Sequence, residues 1–320
     1  MTEKFMSRMG DGERVFLTAE EIREDLEAGN QDAADRGNIP ALSSDELDQL
    51  FAIVTDPNRI TAVRPGREVI TTDDGGANMI VCDKPDGGVG LPMGYHNAVL
   101  AFERLCCADT IGVGHYDYSC KPVKALINYE KQRYYMYSQA VTAPLIYGTQ
   151  PNLGVYFQPD GPFPNATELI PAGKIKEGQQ AQEAAAEALT EDLIYIAKEL
   201  YDVGCDGFNF DTCASAGDAD FYASLKAVET LKEVAPDMAV EVGMASEFIL
   251  GMHSEIEYRG KRLAGRYPTE QVKVVEEAGA DIFGMAVNVN TSESFPWNLA
   301  RAVTFLKATV AVANIPVHPN

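Results

Sequence analysis

The chain has 320 residues, of which 46% are hydrophobic, and its formal net charge is −22. This length and hydrophobic content allow one large α/β domain or two ordinary domains. The charge argues against nucleic acid and anionic membrane surfaces as partners, because both would repel the chain. It is compatible with a cationic substrate, with a partner that has a basic face, or with a soluble protein kept apart from its neighbours by like charge.

The cysteines and the two chain ends indicate the compartment. The six cysteines form no CxxC pair, and they are Cys82, Cys106, Cys107, Cys120, Cys205 and Cys213. Their irregular spacing is typical of buried small hydrophobes in a reducing compartment. The start MTEKFMSRMGDGERV lacks the apolar core of a secretory signal, and AVTFLKATVAVA near the end is too short to span a membrane. We therefore predict a cytoplasmic protein.

The first hundred residues contain helix and hairpin signals. Thr18–Glu21 and Ser43–Glu46 have the spacing of capping boxes, and each predicts the start of a short amphipathic helix. Two alternating apolar stretches flank Asp73–Gly76, which predicts a hairpin. The following Gly87–Gly90 segment is interpreted as a loop that lacks the spacing of a phosphate-binding fingerprint. Residues 1–105 are thus predicted to be a helical and hairpin extension packed on the next domain.

From residue 109 onward, short apolar segments recur, and helical segments separate the later ones. The predicted strands are Thr110–Gly114, Pro144–Tyr147, Gly207–Phe210, Ala239–Val242, Ile282–Ala286 and Ile315–Val317. Gly204 and Gly279 each predict that a helix ends at a glycine in the left-handed backbone conformation, shortly before a strand begins. Units of this kind, with strands interpreted as apolar on both faces, indicate a parallel sheet covered by helices.

The order of these units favours a (β/α)8 barrel, or TIM barrel, over a doubly wound sheet, since no GxGxxG follows the first strand. We predict that residues 106–320 form this barrel. Six strands are fewer than eight, so we expect an incomplete barrel whose last units are missing. Such a sheet exposes backbone groups at two edges unless the N-terminal segment or another subunit closes the gap.

In barrels of this class the chemistry takes place at the carboxyl ends of the strands. The polar residues at or near those ends are His115, Asp117, Tyr118, Asp211, Glu241, Glu247, Asn288, Asn290 and His318. A pocket of carboxylates, aromatics and amides without lysine or arginine suits a small cationic amine, through charge and cation–π attraction. Two carboxylates and a histidine would also suit a divalent metal, although no pair has HExxH spacing.

Several of these residues also have structural interpretations. Asp211 would serve equally as the cap of the helix that follows. Glu241 lies inside a buried strand, where an unpaired carboxylate is costly, so it needs a partner or a function. The histidines at the strand ends are as consistent with structural roles as with acid–base roles. Glu247 and His253, in a loop or helix start, are interpreted as surface residues.

Five strings in the same order along the chain resemble the dimethylamine methyltransferases of methylamine-using archaea and some bacteria. They are Ser7–Thr18, Gly112–Val123, Gly207–Thr212, Gly251–His253 and Trp297–Phe305. The resemblance implies a (β/α)8 barrel that demethylates dimethylamine in methylamine metabolism and methanogenesis. The methyl group would pass to the Co(I) corrinoid of a dimethylamine-specific partner protein, so this chain would bind no cofactor directly. We also expect a homo-oligomer.

The resemblance further implies that pyrrolysine, an amide-linked ring on a lysine encoded by an amber codon, activates the amine from a late barrel strand. No position of this sequence can be assigned to that residue, because the chain ends at Asn320 before the place expected for it. The strand count and the family pattern therefore both predict a chain truncated relative to the family. Without its electrophile such a chain is expected to transfer little or no methyl.

The candidate site consists of residues placed at the strand ends, and we predict no metal in it. The candidates are Glu241, Asp211 and His115 for catalysis and Tyr118, Asp117 and Asn290 for substrate binding. Two alternatives stay open at this point. One is a non-catalytic relative that binds the corrinoid protein, and the other is a metal-dependent barrel enzyme that uses Asp211, Glu241 and His115.

Overall fold

The computed structural model describes residues 3–56, 69–74, 77–81, 88–91, 110–114, 120–126, 145–205, 207–251, 253 and 255–319. Side-chain packing is described for residues 3–56 and for the described residues from Gln150 onward. Among these residues, Cys205 and Cys213 are buried, as predicted for them. No described helix combines the length and the apolar character that crossing a membrane requires.

The chain begins with an antiparallel hairpin of β1 (Lys4–Arg8) and β2 (Arg14–Thr18), which leads directly into helix α1 (Ala19–Gly37). The Thr18 hydroxyl accepts the backbone N–H of Glu21, and the Glu21 carboxylate accepts the backbone N–H of Thr18 at 2.7 Å. Both orphan donors of the first turn are satisfied in this way. The predicted capping box and helix start are confirmed.

Helix α2 (Ser44–Thr55) begins with the same arrangement, in which Ser43 and Glu46 cap each other. It packs with α1 and with a later helix around a small apolar core of its own. That core consists of Ile22, Leu26, Leu42, Leu50, Val54 and Ala300. The N-terminal helices therefore bury their apolar sides against the C-terminal part of the chain.

A four-stranded sheet follows, with β3 (Val69–Asp74), β4 (Ala77–Val81), β5 (Gly88–Leu91) and β6 (Thr110–Gly114) in the order β5-β4-β3-β6. The predicted hairpin is confirmed by the antiparallel pairing of β3 with β4. Part of the glycine-rich segment predicted as a loop is strand β5, because it pairs with β4 along its length. Strand β6 forms where predicted, but it pairs in parallel with β3 rather than with the larger sheet.

The rest of the chain builds the larger sheet and its helices. In chain order its elements are β7 (Cys120–Leu126), β8 (Leu145–Pro151), a 3₁₀ turn (Leu153–Tyr156), α3 (Ala166–Leu169), α4 (Ile175–Asp202), β9 (Gly207–Cys213), α5 (Asp218–Val234), β10 (Ala239–Met244), β11 (Glu257–Tyr258), β12 (Lys261–Arg262), α6 (Pro268–Ala278), β13 (Ile282–Met285), α7 (Phe295–Val312) and β14 (Val317–Pro319). From β9 to β14 a helix lies between each strand of this sheet and the next, while β11 and β12 pair only with each other. This is the predicted strand–helix rhythm.

The larger sheet has the strand order β14-β13-β10-β9-β7-β8. Strands β9, β10, β13 and β14 are parallel, whereas β7 runs antiparallel to both β9 and β8. The α/β class with a parallel sheet is therefore confirmed. Strand β7 was not predicted, and the last strand lies two residues later than expected. The closed or incomplete TIM barrel and the boundary between residues 105 and 106 stay predictions.

Strands β9 and β10 have one apolar and one polar face, so the interpretation of two apolar faces is wrong for them. Phe208 and Phe210 of β9 and Val240 and Val242 of β10 are fully or almost fully buried in the main core, together with Phe283 of β13. The intervening residues of β9 and β10 are polar, and they point to the opposite face because side chains alternate along a strand. The apolar face packs on α4 to α7, which leaves the other face for function.

Two glycines end helices as predicted. Gly204 and Gly279 have φ angles of +93° and +97°, which residues with a side chain rarely adopt. Gly279 closes α6 by donating its N–H to the carbonyls of Val275 and Glu276. The chain then reverses within three residues and enters β13 beside β10. These caps fix where the strands begin, and thereby the register of the polar face.

Candidate functional site

The polar face of the parallel strands is the candidate site. Asn209 of β9 lies directly opposite Glu241 of β10, and Asp211 follows Asn209 by two residues. Gly243 of β10 lies opposite Gly284 of β13. Since residues two apart share a face, these side chains project from the same side of the sheet. The structure thus places the predicted residues Asp211 and Glu241 on neighbouring strands and on one face.

Glu241 has a partner on the last strand of the sheet. Its Oε1 contacts Nε2 of His318, which lies on β14 beyond β13. A Cβ atom at Gly284 would lie 3.1 Å from that oxygen and 3.3 Å from that nitrogen, so a larger residue there would crowd the contact. The other ring nitrogen of His318 lies 3.1 Å from the carbonyl oxygen of Pro319. Both contacts are hydrogen bonds when both ring nitrogens carry protons.

Asn209 is the residue that sequence reasoning missed on this face. It is 8% exposed, and its Oδ1 is buried without a hydrogen-bond partner among the described residues. A buried amide oxygen without a donor is costly and uncommon, so it calls for an explanation. The signal was present in the string Gly207–Thr212, where polar residues alternate with two phenylalanines. That alternation marks a strand with one polar face.

Asp211 occupies a strained strand end. It is 3% exposed, its Oδ1 accepts the backbone N–H of Thr212 at 2.8 Å, and its carbonyl accepts Nε2 of Gln150 at 3.1 Å. Thr212 has a φ of +53°, an unusual conformation for a β-branched residue and one that clusters at functional sites. Helix α5 begins only at Asp218, so the interpretation of Asp211 as its cap is wrong.

Glu247 belongs to a buried ion network, and its interpretation as a surface residue is wrong. It is 4% exposed, and both of its carboxylate oxygens contact the Arg301 guanidinium. The same guanidinium donates to Asp32 of α1 at 2.6 Å and to the carbonyl of Asn288 at 3.0 Å. Every guanidinium nitrogen is engaged. The sequence missed this network because Arg301 lies 54 residues after Glu247.

The network sets the ionisation of Asp32 and Arg301. Burial alone raises the pKa of Asp32, but hydrogen bonds from Arg301 and Arg36 outweigh burial and hold that pKa below its ordinary value. Burial lowers the pKa of Arg301, while hydrogen bonds to Glu247 and Asp32 outweigh it and raise that pKa. These groups stay charged and paired. The network therefore supports α1, α7 and the loop after β13 rather than offering a free group to a ligand.

Asn290 has a structural role in the loop after β13. Its Oδ1 accepts the backbone N–H of Ser292 at 2.9 Å, and its own N–H donates to Oδ1 of Asn298 at 2.9 Å. It lines a cavity of about 350 Å³ together with Trp297 and Arg301, and neither Asp211 nor Glu241 lines that cavity. Substrate binding by Asn290 stays a prediction, since the structure does not bring it into contact with the polar face.

The remaining candidates are His115, Asp117 and Tyr118, and all three lie outside the described residues. Their catalytic and binding roles stay predictions. His253 has a φ of +56° and lines a second cavity, of about 430 Å³, with Gly251 and Arg262. Within the described ranges, no three side chains of the metal-binding types gather as metal ligands do.

The chain was compared with known proteins. The family model described as dimethylamine methyltransferase (Dimeth_PyL) matches residues 3–320, which include every strand of the polar face. No solved structure matches the chain. The family match confirms the resemblance seen in the five strings. On this ground, the chain belongs to the dimethylamine methyltransferase family.

Proposed function

We propose that the protein transfers a methyl group from dimethylamine to the Co(I) corrinoid of a cognate partner protein. The observation that carries the proposal is the family match over residues 3–320. The polar face supports it independently, because two carboxylates on neighbouring parallel strands are suited to a small cation. In this reaction the corrinoid is a substrate delivered by the partner, and its Co(I) is the nucleophile that receives the methyl group.

The first task of the site is to bind the amine. Alkylamines are protonated at neutral pH, since their pKa resembles that of lysine, about 10. Glu241 and Asp211 provide the negative charge that attracts such an ion, and the net charge of −22 raises its local concentration. A hydrogen bond between an ammonium group and a carboxylate is also stronger than one between neutral groups. Amine binding is therefore assigned to this face.

The second task is to manage the proton of the ammonium group. An amine must give up an N–H proton before its nitrogen can act as a nucleophile, and we propose that Glu241 receives it, supported by its contact with His318. The pair resembles the general arrangement in which a carboxylate orients a histidine. Pyrrolysine, which the family resemblance assigns as the activating electrophile, is not among the 320 residues. The residues described thus bind the amine and handle its proton.

A single-turnover assay tests the proposal. The protein, expressed from its gene in a host that inserts pyrrolysine at any in-frame amber codon, is mixed with the cognate corrinoid protein reduced to Co(I), and dimethylammonium chloride is added. We expect the absorbance of methylated corrinoid to appear together with one equivalent of monomethylamine, measured by NMR. Binding of the corrinoid protein without any methyl transfer would contradict the proposal and select the non-catalytic relative.

A matched pair of variants connects the assay to the polar face. Glu241→Gln removes the negative charge that faces His318. Glu233→Gln removes a charge from α5 without touching the polar face, since Glu233 lies near the carboxyl end of that helix. We expect a large loss of methyl transfer in the first variant and wild-type activity in the second. Equal activity in both would remove Glu241 from the proposal.

A further inference from the structure

We propose that Asn209 is a specificity-determining residue that accepts a hydrogen bond from an N–H group of a small ammonium ion. The inference rests on the proposed function for the class of ligand, and it goes beyond it by naming how the ion is distinguished. A secondary ammonium ion has two N–H donors, whereas a fully methylated ammonium ion has none. Both carry the same charge. The site would therefore distinguish the two by hydrogen bonding rather than by charge.

The first support is the state of the Asn209 amide. Its Oδ1 is buried without a hydrogen-bond partner among the residues that the structure describes, and the whole residue is only 8% exposed. A leucine, whose side chain has the same number and branching of heavy atoms, would occupy this position without leaving a polar atom unpaired. Residues that lower stability in this way are found where function requires them. The amide oxygen is thus available for a donor that the described residues do not supply.

The second support is the position of Asn209 relative to the carboxylates. It lies opposite Glu241 in the register of β9 and β10, and Asp211 projects from the same strand and face. His318 contacts Oε1 of Glu241, and no described residue donates to Oε2. A secondary ammonium ion between the two strands would donate one N–H to Oε2 of Glu241 and the other to Oδ1 of Asn209.

Geometry permits this pairing. Neighbouring strands lie about 4.8 Å apart, so acceptors that face each other across β9 and β10 fall within reach of a single nitrogen. The χ2 torsion of asparagine is broad and turns easily, so the amide can direct its oxygen to the ligand. Gly243 and Gly284, adjacent on the same face, add no side chain that would obstruct the approach. Two acceptors then match the two donors of the ion.

The test compares two cations on one variant. Isothermal titration calorimetry measures dimethylammonium chloride and tetramethylammonium chloride, at matched ionic strength, on the wild type and on Asn209→Leu. We expect the variant to bind dimethylammonium about tenfold to a hundredfold more weakly, since a hydrogen bond to a charged group contributes about that factor. Tetramethylammonium binding should change by less than about threefold. The melting temperature should stay equal or rise, because a buried unpaired oxygen has been removed.

A matched control comes from α4. Gln182 is also buried with an unpaired Oε1 among the described residues, but it lies in a helix and not on the polar face. Gln182→Leu should also keep or raise the melting temperature, and it should leave both affinities unchanged. If Asn209→Leu does not fold, Asn209→Met replaces it, because the flexible methionine adapts to irregular space.

Three results would overturn the inference: unchanged dimethylammonium affinity in the variant, equal weakening for both cations, or no binding of dimethylammonium by the wild type. The methyl-transfer assay separates this failure from that of the proposed function. If the protein transfers methyl but its affinity for dimethylammonium does not depend on Asn209, only the inference about Asn209 fails. If dimethylammonium binds in a way that depends on Asn209 but no methyl is transferred, only the proposed function fails.

Discussion

Two groups of buried polar residues in this molecule differ in whether their hydrogen bonds are complete. In the group of Asp32, Glu247 and Arg301, every guanidinium nitrogen has an oxygen partner. On the polar face, considering the described residues alone, Asn209 has an unpaired oxygen, and Glu241 is paired through one oxygen. A completed network holds elements together, whereas an incomplete one is suited to receive a ligand. We infer that this difference separates residues that support the fold from those proposed to bind the amine.

The largest effect is expected when the complete network is broken. Arg301→Met leaves the buried carboxylate of Glu247 without its cation and leaves the half-buried Asp32 paired with Arg36 alone, and removing one partner of a buried pair costs about 3–5 kcal/mol. Chemical denaturation of the wild type and the variant measures the change. The control is Arg23→Met, because Arg23 and Asp48 form an exposed pair worth less than about 1 kcal/mol. Comparable losses in both variants would contradict the distinction.

The next largest loss of stability is expected when the close packing of α1 on α7 is disturbed. A Cβ atom at Gly29 would lie 2.1 Å from the carbonyl oxygen of Trp297, so Gly29→Ala forces the two helices apart. Overpacking of this kind costs about 1–3 kcal/mol, measured by thermal or chemical unfolding. The control is Gly12→Ala, where a Cβ meets no atom within 4 Å and only the φ of +90° opposes the change. A smaller loss for Gly29→Ala than for Gly12→Ala would argue against this close packing.

A substitution on the polar face, where the hydrogen bonds are incomplete, should change ligand affinity more than the stability of the fold. Glu241→Gln keeps the shape of the side chain on a half-buried strand position and removes its charge. We expect the free energy of unfolding to change by less than about 1.5 kcal/mol, because one hydrogen bond is weakened, and dimethylammonium affinity to fall at least about tenfold. Calorimetry and denaturation on the same samples measure both quantities. Unfolding as severe as that of Arg301→Met would place Glu241 among the structural residues.

The smallest effect is expected at low pH, where the exposed ion pair between Glu46 of α2 and Lys307 of α7 is lost and the fold becomes slightly less stable. Hydrogen bonds from Lys307 and from Ser43 lower the pKa of Glu46 from its ordinary 4.5 to about 2. Since the folded pKa lies below the unfolded one, this stabilisation is complete above pH 4.5 and is lost as the pH falls towards 2. Glu46→Gln should reduce the pH dependence of the melting temperature in that window. An unchanged pH profile would show that the contact does not stabilise the fold.

Local signals allowed much of the fold to be predicted. The capping boxes at Thr18 and Ser43 and the left-handed glycines at 204 and 279 depend on neighbours within a few residues, and all four are confirmed. The strands β9, β10 and β13 were likewise visible as short apolar segments. Strand β7 was missed, because its place in the sheet depends on pairing with strands far along the chain.

The candidate site was predictable only in part. Strand-end placement found Asp211 and Glu241, whereas the partner of Glu241 lies 77 residues further along the chain, where no local pattern connects the two. The misinterpretation of Glu247 has the same cause, because its burial follows from Arg301 on a distant helix. Asn209 was overlooked because a strand taken to be apolar on both faces leaves no polar side for an amide.

A crystal structure of the protein with dimethylammonium chloride, compared with one that contains tetramethylammonium chloride, would show where the secondary ammonium ion binds. We predict density for dimethylammonium on the polar face, with its nitrogen within hydrogen-bonding distance of Glu241 and of Oδ1 of Asn209. Density for this ion in the cavity beside Asn290 and Trp297, with the polar face unoccupied, would contradict it.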